Sequence, residues 1–315
     1  MNFLSLFSGV EAASVAWESL GFKCLGLSEI APFPSAVLEH RYPQVKNLGD
    51  ITLLTKEKLY ETINEPIQII IGGSPCQAFS LAGDRKGFED ERGRLMFDFI
   101  RIVGEVKPLY VVWENVRGVL SSNGGKDFGT LLGCLVEFGY DLEWRILDTQ
   151  DFGLPQSRSR VYLVGHLRGT SSELVLSHRE GSGGVETPSS KKRGESTRTS
   201  TGSTKVTKTK TIANGRDIVG CLCARDYKGI GSDCVAMGKV IVETSEEDIR
   251  LRRLSPREYE RLQGFPDDWT KVPWNGKPAD SCPDGHRYKA MGNTMSVPVV
   301  RWIGKQILKH YKGGE

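Results

Sequence analysis

The 315-residue chain lacks any apolar run approaching the ~20 residues that a membrane span requires, which excludes an integral membrane protein. Its first residues, Met1-Asn2-Phe3-Leu4-Ser5, show no basic region followed by an apolar core, so no signal peptide is expected. Seven cysteines is an odd number, and they have no repeated spacing, so reduced thiols in a cytoplasm are expected. Cys221-Leu222-Cys223 with Cys234 lacks the paired Cys-x-x-Cys pattern of structural zinc, so no metal is expected. A Walker lysine motif is missing, which argues against ATP. The five histidines, His40, His166, His178, His286 and His310, lie in no recognisable pairing with Cys76, which leaves a cysteine hydrolase without its base. Internal repeats are absent. Net charge is only +3, from 42 basic against 39 acidic residues, too little by itself to prove a polyanionic partner.

What is present suits a globular protein of one large or two ordinary domains, with 38% hydrophobic and 26% charged residues. The apolar runs 2–7, 22–27, 67–71, 109–113 and 160–165 read as strands. Helical patterns lie between them at 11–20, closed by Gly21, and at about 34–40, 95–106 and 128–138. Strands alternating with helices predict an α/β fold with a doubly wound, mostly parallel sheet. The order breaks after about Arg168. Residues 177–211 are dominated by Ser, Thr, Gly and Lys, as expected of a flexible insert. Between Glu186 and Arg216, the basic residues Lys191, Lys192, Arg193, Arg198, Lys205, Lys208, Lys210 and Arg216 are opposed only by Glu186 and Glu195, a tract suited either to nucleic acid or to a solvated linker. Short β-like pieces follow, including 235–242. Ser255-Pro256-Arg257-Glu258 then carries the marks of a helix start, and a last helix spans about 297–310.

Ligands of open α/β sheets bind just past the carboxyl ends of strands. Four such ends carry chemistry here. The first leads into the turn Phe7-Ser8-Gly9, the second ends in Glu29, and Asp50 follows in Gly49-Asp50-Ile51. A carboxylate at the second position accepts two hydrogen bonds side by side, as a ribose requires. Together these positions suggest an adenosine-containing cofactor. The run Ile67-Gln68-Ile69-Ile70-Ile71-Gly72-Gly73 delivers Ser74-Pro75-Cys76 to the same sheet edge. Val111-Val112-Trp113 delivers Glu114, whose desolvated carboxyl would titrate high enough to serve as an acid.

Taken together, these residues resemble the cytosine-C5 DNA methyltransferases. The matching pieces stand in the family's order: Phe7-Ser8-Gly9, Glu29, Gly49-Asp50-Ile51, Pro75-Cys76-Gln77 with Phe79-Ser80, Glu114-Asn115-Val116, and Gln156-Ser157-Arg158-Ser159-Arg160. Arg253-Leu254-Ser255-Pro256-Arg257-Glu258, Gln263-Gly264-Phe265-Pro266 and Gly292-Asn293-Thr294 complete the set. The resemblance implies a Rossmann-like S-adenosylmethionine-dependent catalytic domain over 1–168, completed by the C-terminal helix of about 288–312. A smaller, irregular target-recognition domain would occupy 169–287. S-adenosyl-L-methionine would be held by Phe7, Gly9, Glu29, Asp50, Ile51, Pro75, Leu95 and Asn293, and leave as S-adenosyl-L-homocysteine. Cys76 would add to cytosine C6, Glu114 would hydrogen-bond or protonate N3, Arg160 would contact O2, and nearby backbone N–H groups or Arg158 and Arg160 would help lower the Cys76 pKa.

The base must leave the stack for this, so base flipping is implied. Duplex DNA contacts are expected from Gln77, Ser80 and Arg92, and from Arg225, Asp226, Tyr227 and Lys228 in the recognition region. The family branch that modifies tRNA, and a catalytically silent DNA-binding homologue, are the alternatives. The resemblance further implies a cytoplasmic monomer of a bacterial cell or phage-infected host, with a cognate restriction endonuclease as a candidate partner. One departure stands out: Glu11 occupies a position where the family usually has glycine. It is expected to start the first helix and to favour the cofactor's cationic end.

Overall fold

The computed structural model describes residues 1–75, 91–168, 175–176, 210–212, 219–224, 226, 239–244 and 249–313. Strand β1 (Asn2–Leu6) leads to α1 (Ala12–Trp17), β2 (Lys23–Ser28), α2 (Pro32–Arg41) and α3 (Lys56–Thr62). Then come β3 (Ile69–Gly72), α4 (Glu91–Val106), β4 (Tyr110–Val116), α5 (Lys126–Glu137), β5 (Tyr140–Asp148) and β6 (Ser159–Leu167). These six strands form one sheet in the order β2-β1-β3-β4-β6-β5. The first four pair in parallel, and β6 runs antiparallel to both of its neighbours.

The all-Ile run of β3 is buried on both faces, and successive residues feed opposite cores. Ile69 and Ile71 join Phe3, Tyr110, Val112 and Val164 on one side, while Ile70 joins Leu4, Leu6, Val111 and Leu163 on the other. The mostly parallel, doubly wound sheet expected from the sequence is therefore the sheet observed. Two features were not foreseen. Strand β5 lies where no element was expected. Its alternation of Asp141, Glu143 and Arg145 with Leu142, Trp144 and Ile146 suits the sheet edge it forms, with Trp144 and Ile146 exposed. The reversal of β6 is the second, because an apolar run does not encode a strand's direction.

Beyond the sheet, β7 (Lys210–Ile212), β8 (Val240–Thr244) and β9 (Ile249–Arg253) make a three-stranded antiparallel sheet. Helix α6 (Pro256–Gln263) opens with a complete capping box. The Glu258 amide donates to Ser255 Oγ, and the Ser255 amide donates to Glu258 Oε2 at 2.6 Å. Helices α7 (Asp284–Asn293) and α8 (Val297–Gly313) follow. Leu254, Tyr259, Leu262, Phe265, Val272 and Tyr288 lie in the same buried cluster as Phe3 and Ile69, so α6 and α7 cover one face of the large sheet. The chain's two ends meet where α8 packs on α1: Trp17 Nε1 donates to the Val300 carbonyl at 2.7 Å. Among the described residues, no helix is long and apolar enough to cross a membrane.

Candidate active site

The strand ends converge on one cavity of about 320 Å³. The parallel strands present their carboxyl ends there. The reversed β6 presents its beginning instead, because Val116 at the end of β4 pairs with Arg160. Phe7, Gly9, Glu29, Asp50, Ile51, Pro75, Leu95, Glu114, Arg158, Arg160 and Asn293, eleven of the residues expected from the sequence, all line it. Cys76, Gln77, Ser80, Arg225, Tyr227 and Lys228 lie outside the described residues, as does the side chain of Arg92. Pro75, immediately before Cys76, is at the cavity wall.

One end of the cavity is lined by the two carboxylates of Glu29 and Asp50. Glu29 accepts from the Gly9 amide through Oε2 at 2.8 Å and from the Ala31 amide through Oε1 at 2.7 Å, which fixes the carboxylate across the tip of β2. Gly9 takes φ +56, and the space where its Cβ would stand is open. Asn47 ties the next wall on. Its Oδ1 accepts from the Glu29 and Gly49 amides at 3.1 Å each, and its Nδ2 donates to the Glu29 carbonyl at 3.0 Å. Asp50 then caps a 3-10 turn through Oδ1, which accepts from Thr52 N and Oγ1, and no hydrogen bond among the described residues engages Oδ2. Ile30, 66% exposed, and Leu95 supply apolar surface. Asn47 and Ile30 were not singled out in the sequence; their only signal was that each stands beside an acid at a strand end.

The other end is charged. Glu114 Oε1 lies 3.3 Å from Arg160 Nε, with side chains only 13% and 15% exposed. Burial pushes the Glu114 carboxyl above its ordinary pKa, against the pull of Arg160 and then Arg158; the Cys221 thiol adds to the rise. Gly73 permits this close packing, since a Cβ there would stand 3.0 Å from Glu114 Oε2. Ser74 is held by the Trp113 indole and by Asn115, whose Nδ2 donates to its carbonyl at 3.1 Å. The loop leading to Cys76 is thus braced from β4.

Arg158 is 3% exposed, and main-chain oxygens take up its guanidinium. Nη1 donates to the carbonyls of Leu222 at 3.1 Å and Gly292 at 3.2 Å, and Nη2 donates to that of Thr294 at 2.8 Å. Nε has no partner. The arginine therefore joins β6, the 219–224 segment and the end of α7 in one brace. Gln156, fully buried, does the same for α6 by donating to the Leu262 carbonyl at 2.7 Å and accepting from the Leu222 amide at 3.2 Å.

Two expectations need correction. Glu11 does start α1, as its N-cap at φ +67, but its carboxylate is spent on Ser5 Oγ at 2.7 Å and on Ser14 N and Oγ at 2.8 and 3.0 Å. It does not line the cavity, so it is not aimed at a cationic ligand there. Asp226 is not free to read a base. Its two oxygens accept from Lys239 Nζ at 2.9 Å each, and Oδ2 also accepts from the Cys223 amide and the Tyr259 hydroxyl.

A model of the C-5 cytosine-specific DNA methylase family matches residues 1–217 and 171–309. The chain is 32% identical to the type II methyltransferase M.HpaII of Haemophilus parainfluenzae, over 98% of this chain and 89% of that protein. It is 30% identical to a protein of Escherichia phage P1 named DNA N-6-adenine-methyltransferase, over 97% of this chain; the chain spans only 61% of that protein's length. The crystal structure of the S. pombe Dnmt2 methyltransferase has the same fold, with a TM-score of 0.70 at 19% identity, over 98% of this chain and 99% of that one.

Proposed function

The chain belongs to the C-5 cytosine-specific DNA methylase family, and on that premise we propose that it methylates C5 of a flipped-out cytosine in a specific duplex DNA sequence, through a covalent bond between Cys76 and C6. The observation that carries this reading is the buried Glu114–Arg160 pair facing the same cavity as Glu29 and Asp50.

The donor set fits S-adenosylmethionine. Glu29 would hold the ribose hydroxyls, the open oxygen of Asp50 the adenine amino group, and Ile30, Ile51 and Leu95 the ring faces, with Gly9, Phe7, Pro75 and Asn293 closing the site. When bound, the cofactor supplies an electrophilic methyl group on a sulfonium.

The chain's own residues prepare the base to receive it. The Cys76 thiolate donates an electron pair to C6, which breaks the ring's aromaticity and turns C5 into an enamine-like nucleophile. Glu114, its proton held by burial, hydrogen-bonds or protonates N3 and so drains charge from the ring. Arg160 neutralises O2. After methylation C5 loses its proton to a base, and the electrons of that bond expel Cys76 as thiolate, restoring the ring. Arg158 acts at one remove, as the brace that sets where Arg160 begins. Residues 169–287 would form the target-recognition domain, with Gln77, Ser80, Arg92, Arg225, Tyr227 and Lys228 against the DNA. A cytoplasmic monomer, with or without a cognate nuclease, completes the reading.

The phage P1 relative's name specifies adenine N6. An exocyclic amine needs no ring activation, so neither a thiol nucleophile nor an acid at a ring nitrogen would be called for. Mass spectrometry of DNA digested after reaction with the protein separates the two products. 5-Methylcytosine is expected, and N6-methyladenine alone overturns the proposal. Duplexes carrying 5-fluorocytosine should trap a denaturation-stable adduct with the wild type and none with Cys76→Ser, which should still bind the cofactor. Methylation of tRNA in place of duplex DNA would favour the other branch.

A further inference from the structure

Resting on that reading, we infer that Cys221 is a positioning residue for the reaction: its sulfur is the partner that keeps the Arg160 guanidinium lying along Glu114 and the cavity. Each guanidinium nitrogen of Arg160 has one partner. Nε faces Glu114 Oε1 at 3.3 Å, Nη1 donates to the Ser159 carbonyl at 2.9 Å, and Nη2 donates to Cys221 Sγ at 3.5 Å. The first two partners belong to β4 and β6, the strands that carry the pair itself. Among the described residues, Cys221 is the partner that reaches in from outside the large sheet.

The guanidinium is a planar fork, so fixing the end opposite Glu114 fixes the plane. Arg158 Nη1 lies 3.7 Å from the same sulfur. One sulfur therefore sits between two guanidinium groups that otherwise repel each other.

The sulfur can do this because its segment is anchored on both sides. The Ser157 amide donates to the Val219 carbonyl, and the Val219 amide donates to that of Pro155, at 2.8 Å each. Leu222 is held by Gln156 and Arg158. The groups facing Cys221 are Arg158 and Arg160 from β6, Glu114 from β4 and Cys223 from its own loop, with Lys239 and Asp226 beyond Cys223. The neighbouring Cys223 thiol, whose Sγ donates to the Cys221 carbonyl at 3.4 Å, and then the two arginines pull the Cys221 thiol below its ordinary pKa against the effect of burial. A sulfur bearing negative charge is the stronger acceptor for both arginines, and it also raises Glu114. The segment on which Cys221 lies belongs to the region proposed to read the sequence, at the point where that region meets Gln156 and Ser157 beside the cavity. Contact with Arg160 thus joins the two.

The test uses the full-length protein with a methylatable duplex and compares the wild type with Cys221→Ala, Cys221→Ser and Cys223→Ser. Cys221→Ala should lower kcat between about tenfold and a hundredfold, the scale of a misplaced catalytic group. Cofactor affinity should be unchanged. The alkaline limb of the kcat profile should move to lower pH, because Glu114 loses the neighbour that raises it. Cys221→Ser, which keeps a small acceptor in place, should recover part of kcat but not the limb, and this variant carries the test if the alanine protein does not fold. Cys223→Ser should keep at least half of wild-type kcat. An active wild type indistinguishable from Cys221→Ala in kcat and pH profile sinks this inference alone. A wild type that produces no 5-methylcytosine sinks the reading of the site and this inference with it.

Discussion

Replacing Gly292 with alanine probes how the arginine brace is built. A methyl group there would stand 2.3 Å from Ala224 N, 2.4 Å from Cys223 C and 2.8 Å from Ala224 Cα. All three are main-chain atoms, and carbon contacts become favourable only at about 3.5–4.0 Å. Either the 219–224 segment or the end of α7 must then move by roughly 1 Å. Arg158 bonds to both, through the carbonyls of Leu222, Gly292 and Thr294. Charge-assisted bonds of this kind contribute about 1.5–3 kcal/mol each. Losing two would cost about 3–6 kcal/mol, much of the ~5–15 kcal/mol that stabilises an ordinary domain. Arg158 Nε is already without a hydrogen-bond partner among the described residues. Urea denaturation should show a lower midpoint with an unchanged slope. Gly133→Ala in α5 is the control: its Cβ would meet nothing within 4 Å, and the change should raise stability by about 0.5–1 kcal/mol. A Gly292→Ala protein that keeps the wild-type midpoint and full methyl transfer would refute the close-approach argument.

Two further outcomes concern the rest of the structure. Asp226→Ala leaves Lys239, 3% exposed, without its buried counter-ion and should cost about 3–5 kcal/mol, seen as a fall in melting temperature; no fall would mean that Lys239 finds water or another acceptor. Burial and then the neighbouring His310, whose ring lies 4.6 Å away, hold His166 below the ordinary histidine pKa. The unfolded chain therefore takes up this proton first, so the stability His166 contributes is complete above about pH 6.5 and is lost as the pH falls towards its folded pKa. Denaturation midpoints from about pH 7.5 to 5.5 should fall less steeply for His166→Gln than for the wild type; equal slopes would count against the assignment.

The sequence made the cofactor side of the cavity legible because it is local. Glu29 follows strand β2, and Asp50 follows the single bridge that Asn47 makes beside that strand, so both emerge at the same sheet edge. The same logic reached Glu114 and Pro75. It could not reach the roles of Arg158 and Gly292. Their partners are main-chain oxygens and nitrogens distant in sequence, and no side-chain pattern announces a carbonyl. Asp226 was misread because a polar stretch near Gly-rich turns looks exposed, whereas Lys239 folds back to neutralise it. Cys221 carried no signal beyond its failure to make a zinc motif. Its significance depends on two arginines some sixty residues away in the chain.

The reversal of β6 also bears on how such a chain can diversify. Entering the sheet at the cavity and leaving at the far side, β6 hands the chain on from the edge opposite the chemistry. Among the described residues, the chain meets the cavity side again at Val219, which bridges to Gln156 just before β6 begins. The excursion leaves from the end of β6 and is moored on its return beside Gln156, so the stretch between its ends can lengthen or shorten while the arginines keep their stations. Closing a loop twice as long costs only about 0.6 kcal/mol more. A chain wired in this way can change the length of that stretch at small cost while the cavity keeps its lining.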